Sequence, residues 1–218
     1  MINFITINSI QNRLAEGVPQ GRIDETSVRR LWWAALDTLQ TEILIPMDLS
    51  KGLWLASPLP ALYEPRLLNR LQGWVWAPEE LDMFSNQSCG LLPPSRARSL
   101  ENQNQNSGSG TFTRLPLLDK DGNDPLLIII TPEIQVALAL QGNTGERKLL
   151  MRSDHETLRD VLTMLDLRLN EEDSFQADKL RKALADLGEL KTNEDISRIF
   201  WPLVSERLAG FAPSLNIQ

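Results

Sequence analysis

The chain has 218 residues, 42% of them hydrophobic and 23% charged, with a formal net charge of −7 at pH 7. That length fills one core, or one domain plus an appendage, and the composition excludes a wholly disordered chain. The acidic balance argues against a free-standing nucleic-acid binder, which needs a basic face.

Residues 1–23 form a mixed lead-in that opens with no basic segment before its apolar residues, so it does not read as a secretory signal. Asp24 then offers an N-cap. Val28, Leu31, Trp32, Ala35, Leu39 and Ile43 follow on one helical face, ending before Pro46. GLWLASPLP (52–60) reads as a short strand, and GWVWAPEELDMF (73–84) as a strand leading into a short helix. The stretch ENQNQNSGSG (101–110) holds no apolar residue and reads as a mobile loop.

Beyond the loop the pattern turns to β. RLPLL (114–118), LLIII (126–130), the alternating Ile134, Val136, Leu138 and Leu140, and ERKLLMR predict an antiparallel meander over 112–152. The LLIII run stops at Pro132, far short of a bilayer span, so no membrane partner is expected. Three helices close the chain. The first carries Leu158, Val161, Leu162, Leu165 and Leu169; the second carries Ala177, Leu180, Ala183, Leu184 and Leu187 and ends at Gly188. The third carries Ile196, Ile199, Phe200, Leu203 and Val204, with a kink or restart expected at Pro202. Helices before and after an antiparallel sheet predict an α+β domain over 24–190, with 191–218 as a connector helix and linker.

Motifs that could carry chemistry are few. Cys89, the single cysteine, has no basic neighbour in sequence to lower its pKa and reads as an inert thiol; a lone cysteine also suits a cytoplasmic protein. DKDGND (119–124) departs from calcium-loop spacing, since Gly122 stands fourth and Ile130 twelfth, so it reads as a polar turn. GSGTF (108–112) follows a polar loop and opens no helix, so it is no phosphate cradle. Trp54, Trp74 and Trp76 are candidates for lining a ligand pocket, against the plainer reading of core residues. Trp32 and Trp33 are adjacent, so one of them must reach an edge or interface.

His155, the single histidine, stands in SDHETLRDVL (153–162). A zinc site would need a second histidine at position 159, which is Arg, and no serine elbow marks a triad. Ser153 or Asp154 capping a helix, with Glu156 in its first turn, explains the stretch without chemistry. No catalytic residue, metal or cofactor is expected in this segment.

Two stretches, GLWLASPLPALYEPRLLNRLQGWVWAPEELDMF with LLPPSR, and RLPLL with DPLLIIITPEIQVALALQG, together resemble the N-terminal sensory region of cyanobacterial soluble histidine kinases. The tail RIFWPLVSERLAGFAPSLNIQ resembles the helix and linker that lead toward their phosphotransfer domain. The resemblance implies a GAF-like or DICT-like sheet flanked by helices. It implies the input half of a kinase, or a stand-alone relative of it, that senses a small ligand or partner protein. The polar linker at the end points to the former. The histidine box, the asparagine-rich box and the ATP lid of that family are absent from these residues. Implied partners are the kinase core in cis, a response regulator downstream, and a second copy through a seam of Ile196, Ile199, Phe200 and Leu203. The alternative reading is a protein-binding adaptor without a small-molecule site. A filled core with exposed tryptophan favours the adaptor, and an aromatic-lined cavity favours the sensor.

Overall fold

The computed structural model describes residues 4–58, 62–78 and 112–211. The first helix lies inside the expected lead-in. In α1 (Ile7–Ala15), Ile7, Ile10 and Leu14 recur at helical spacing and are fully buried. Thr6 and Ser9 close a reciprocal capping box at its start. Helix α2 (Glu25–Thr38) begins at the Asp24 cap, as expected, and passes into a π-helical segment (Leu39–Leu44) before Pro46. Of the adjacent tryptophans, Trp32 is buried and Trp33 sits half-buried at the edge of the core.

Six strands form one sheet: β1 (Leu53–Ser57), β2 (Gln72–Ala77), β3 (Phe112–Pro116), β4 (Leu126–Ile130), β5 (Gln135–Gln141) and β6 (Lys148–Arg152). Their spatial order is β3-β2-β1-β4-β5-β6. The β1-β4-β5-β6 half is antiparallel, so the expected meander holds for β4, β5 and β6. Its first member does not belong there. β3 pairs in parallel with β2 at the far edge, and β2 pairs in parallel with β1. Parallel neighbours need a crossover instead of a tight hairpin. Between β1 and β2 that crossover includes the short helix α3 (Pro65–Leu68). The loop expected at 101–110, Cys89, and the helix expected after Ala77 lie outside the described residues.

The sheet is covered on both sides, giving an α+β domain of three layers. One face packs α2, the π segment, α3 and α6 (Glu194–Phe211); the other packs α1, α4 (His155–Glu172) and α5 (Ser174–Leu187). Strands β1 and β4 are buried along their whole length, which is why LLIII shows no alternation. Helix α6 runs unbroken through Pro202, which lies on its exposed side, where water can take the carbonyl freed four residues back. Ile196, Phe200 and Val204 of α6 are members of the core. Core packing therefore continues across the expected domain boundary at residue 190.

Gly73 shows how tightly the parallel half is fitted. The Trp54 ring lies across it and meets Phe112 of β3 edge-on, with centroids 5.6 Å apart. A Cβ at Gly73 would stand 2.4 Å from the Trp54 ring and 2.6 Å from the Phe112 Cβ. Gly73→Ala is expected to destabilise the chain by about 1–3 kcal/mol in urea titration, the usual range for overpacking.

Candidate functional site

The three tryptophans do not line a common pocket. Trp54 points to the α2/α6 face of the sheet, and Trp74 and Trp76 point to the α4/α5 face; all three are buried. Register and alternation dictate this: Trp54 is paired with Gly73, one residue before Trp74, and residues two apart on a strand share a side. Each of the second pair is a tie. The Trp74 indole N–H donates to Gln176 Oε1 at 3.1 Å, and the Trp76 indole N–H donates to Glu172 Oε2 at 3.0 Å. The Trp54 N–H is buried with no hydrogen-bond partner among the described residues.

Trp76 belongs to a buried charge network that the sequence reading did not single out. Arg168, 0% exposed, forks onto Asp121 with Nη1–Oδ1 at 2.5 Å and Nη2–Oδ2 at 2.7 Å. Its Nε donates to Glu172 Oε1 at 2.9 Å, and its guanidinium stands 5.3 Å from the Trp76 ring centroid. Asp121 also accepts the backbone N–H groups of Ile7 at 2.9 Å and Leu118 at 2.8 Å. Burial alone would raise the Asp121 pKa. The hydrogen bonds from Arg168, Ile7 and Leu118, with the Arg168 charge, outweigh it and hold the carboxyl below its ordinary range. The DKDGND turn is thus an anchor joining α1, α4 and β2. Its Asp124 is likewise engaged, by Arg147. Among the described residues no group of three or more metal-ligating side chains occurs.

His155 is the first residue of α4, and Asp154 is its cap, accepting the Thr157 N–H at 2.9 Å. The ring Nδ1 lies 2.8 Å from Thr192 Oγ1, and Ser153 Oγ donates to the Asn193 carbonyl at 3.0 Å. The histidine therefore ties the start of α4 to the segment that enters α6.

The most informative surface is α6 itself. Ile196 and Phe200, half of the expected seam, are buried against α2 and the sheet. Ile199 is 56% exposed and Leu203 is half-buried; four residues apart, they share one flank of the helix. Trp201 is exposed on the opposite flank. The docked side is fixed by charge as well as packing: Arg207 pairs with Asp37 and with Glu42 at 2.9 Å, and contacts Thr41 at 3.1 Å. These partners stand where α2 passes into the π segment. There Gln40 is buried, and its Oε1 accepts the Tyr63 and Glu64 N–H groups at 2.9 and 3.2 Å. A π-helical turn widens the backbone by one residue per turn and often marks a functional element. The α2/π/α6 junction is thus held by both packing and charge.

A family model described as "Domain of unknown function (DUF8628)" matches residues 8–213. The chain belongs to that family. The match runs from α1 through α6, so in DUF8628 the first helix and the last belong with the sheet. No curated protein and no solved structure matches. No helix among the described residues is long and apolar enough to cross a membrane.

Proposed function

We propose that this chain is a cytoplasmic signal-input module of a two-component histidine kinase, with α6 as its output element. The observation that carries the reading is the division of α6. One side is locked to α2 and the core by Phe200 and Arg207, and the flank of exposed Ile199 and half-buried Leu203 stays partly open to solvent. A helix held this way moves with the domain while offering a second surface, which is what relaying a change of state requires. That flank is the contact for a second copy. Its neighbours Ile196 and Phe200, buried against the chain itself, are not part of it. The sequence resemblance to sensory regions of histidine kinases supports the same reading.

The reading frame beyond the codon for Gln218 tests the assignment. A histidine box followed by nucleotide-binding boxes is the expected result. A stop codon directly after Gln218 would overturn the input-half reading.

A second reading, a protein-binding adaptor, is favoured by two features. The pocket-candidate tryptophans are buried in the two cores, and Phe175 (66% exposed) and Leu167 are exposed on α5 and α4. Capture of a protein by the purified chain, lost on Phe175→Ser and kept on Ile199→Glu, would establish that reading over the first.

A further inference from the structure

One cleft is used by none of the arrangements above. It has a volume of about 360 Å³ and lies between α1, the 17–23 segment, the turn before β4 and the β5–β6 hairpin. Every residue lining it is polar or glycine. Five carry carboxamides: Asn8, Asn12, Gln20, Gln141 and Asn143.

Two of the charged groups in this cleft already have partners. Asp124 is forked by Arg147, with Nη1–Oδ2 at 2.8 Å. Lys148 Nζ donates to the carbonyls of Val18 and Pro19, each at 3.2 Å. Beside Glu146 and Lys148, one charge of each sign, most of the hydrogen-bonding capacity that remains is neutral. Gln141 Nε2 donates to Asn12 Oδ1 at 3.2 Å, which leaves the Asn12 amide donors and the Gln141 oxygen. The side chains of Asn8, Gln20 and Asn143 have no hydrogen-bond partner among the described residues, so each offers two donors and an acceptor.

This chemistry selects its ligand by class. With no apolar or aromatic lining, the cleft gives a lipid, a nucleobase or a tetrapyrrole nothing to pack against. Glu146 and Lys148 bring one charge of each sign to the lining, and Arg147 neutralises Asp124, so the cleft as a whole favours neither an anion nor a cation. Hydroxyl groups, each both donor and acceptor, match a ring of carboxamides. We infer that the cleft is a binding site for a small neutral polyol of sugar size.

The position of the cleft links it to the output helix. Its wall residue Gly21 packs so close to the hairpin that a Cβ there would stand 2.0 Å from the Arg147 carbonyl oxygen. Two residues on, Ile23 and Arg147 exchange backbone hydrogen bonds at 3.3 Å. Asp24 then caps α2, and Arg147 Nε lies 3.3 Å from Glu25 on its first turn. Helix α2 packs against α6. That this ligand is the sensed signal rests on the input-module reading; the site itself does not.

The test is a titration of the purified, isotope-labelled chain with glucose, sucrose and myo-inositol, read by amide chemical shifts. Thermal shift would mislead, because polyols stabilise any folded protein by exclusion. Saturable shifts are expected at residues 8–12, 20–25 and 141–143 for at least one probe. The Asn8→Ala/Asn143→Ala variant removes only exposed side chains and should weaken that binding about ten-fold or more, the effect of losing one or two hydrogen bonds. The absence of any saturable shift with all three probes, or an unchanged affinity in the variant, would overturn the site. Neither outcome bears on the reading frame beyond Gln218, so failure of the site and failure of the input reading are separable.

Discussion

Arg168→Met is expected to cost the fold about 3–5 kcal/mol, the range for removing one partner of a buried ion pair. The penalty arises less from the lost attraction than from what remains. Asp121 would stay buried with only the Ile7 and Leu118 N–H groups to support its charge, and Glu172 would lose its cation. Urea denaturation at neutral pH measures it directly. The control is Arg198→Ala, whose ion pair with Asp195 is exposed on both sides and should change stability by no more than about 0.5 kcal/mol.

The same network sets an acid limb. Because Asp121 has a folded-state pKa below its unfolded value, its contribution is complete above the unfolded value of about 4. It is lost as pH falls through the lower, folded-state value, where the carboxyl takes up a proton. Wild type should therefore lose stability steeply below about pH 4, and Asp121→Asn should show a shallower slope there from a lower plateau. Equal acid slopes in the two proteins would mean that Asp121 is not the group responsible.

Phe200→Ala is the second large effect, at about 3–5 kcal/mol for emptying a fully buried aromatic site. The position lies between Ile196 and Val204 on the docked side of α6, so the loss should be concentrated there. Hydrogen exchange is expected to accelerate along α6 and the facing turns of α2 while β4 and β5 keep their protection. Ile199→Ala, one residue away but 56% exposed, should stay within about 0.5 kcal/mol of wild type. The pair separates packing from surface on a single turn of helix.

Much of this architecture was legible in local sequence pattern. The Asp24 and Asp154 caps, the Leu158–Leu169 stripe and the two-faced burial of LLIII all follow from periodicity and capping chemistry. Helix α1 was equally encoded, in Ile7, Ile10 and Leu14 behind a Thr-x-x-Ser start. Its few turns and polar surroundings left it hidden in the lead-in. The parallel pairing of β3 with β2 was not legible, because periodicity reports which face of a strand is buried and says nothing of which strand lies beside it.

Long-range polar pairing escaped for the same reason. Asp121 and Arg168 are 47 residues apart, and each looks solvated in its own segment. Only the packing of α4 over the sheet brings them together. The stripe on the last helix was seen, but its direction was not: Ile196 and Phe200 turn to the core and Ile199 turns away, a choice set by where α2 lies.

Sedimentation velocity of the purified chain across a concentration series tests the central claim, that α6 is docked by one side and offers the other to a second copy. Wild type is expected to pass from monomer to dimer. Ile199→Glu should remain monomeric at every concentration while unfolding within about 0.5 kcal/mol of wild type, as an exposed-site change does. A wild-type chain that stays monomeric throughout, or an Ile199→Glu chain that dimerises as readily as wild type, would contradict it.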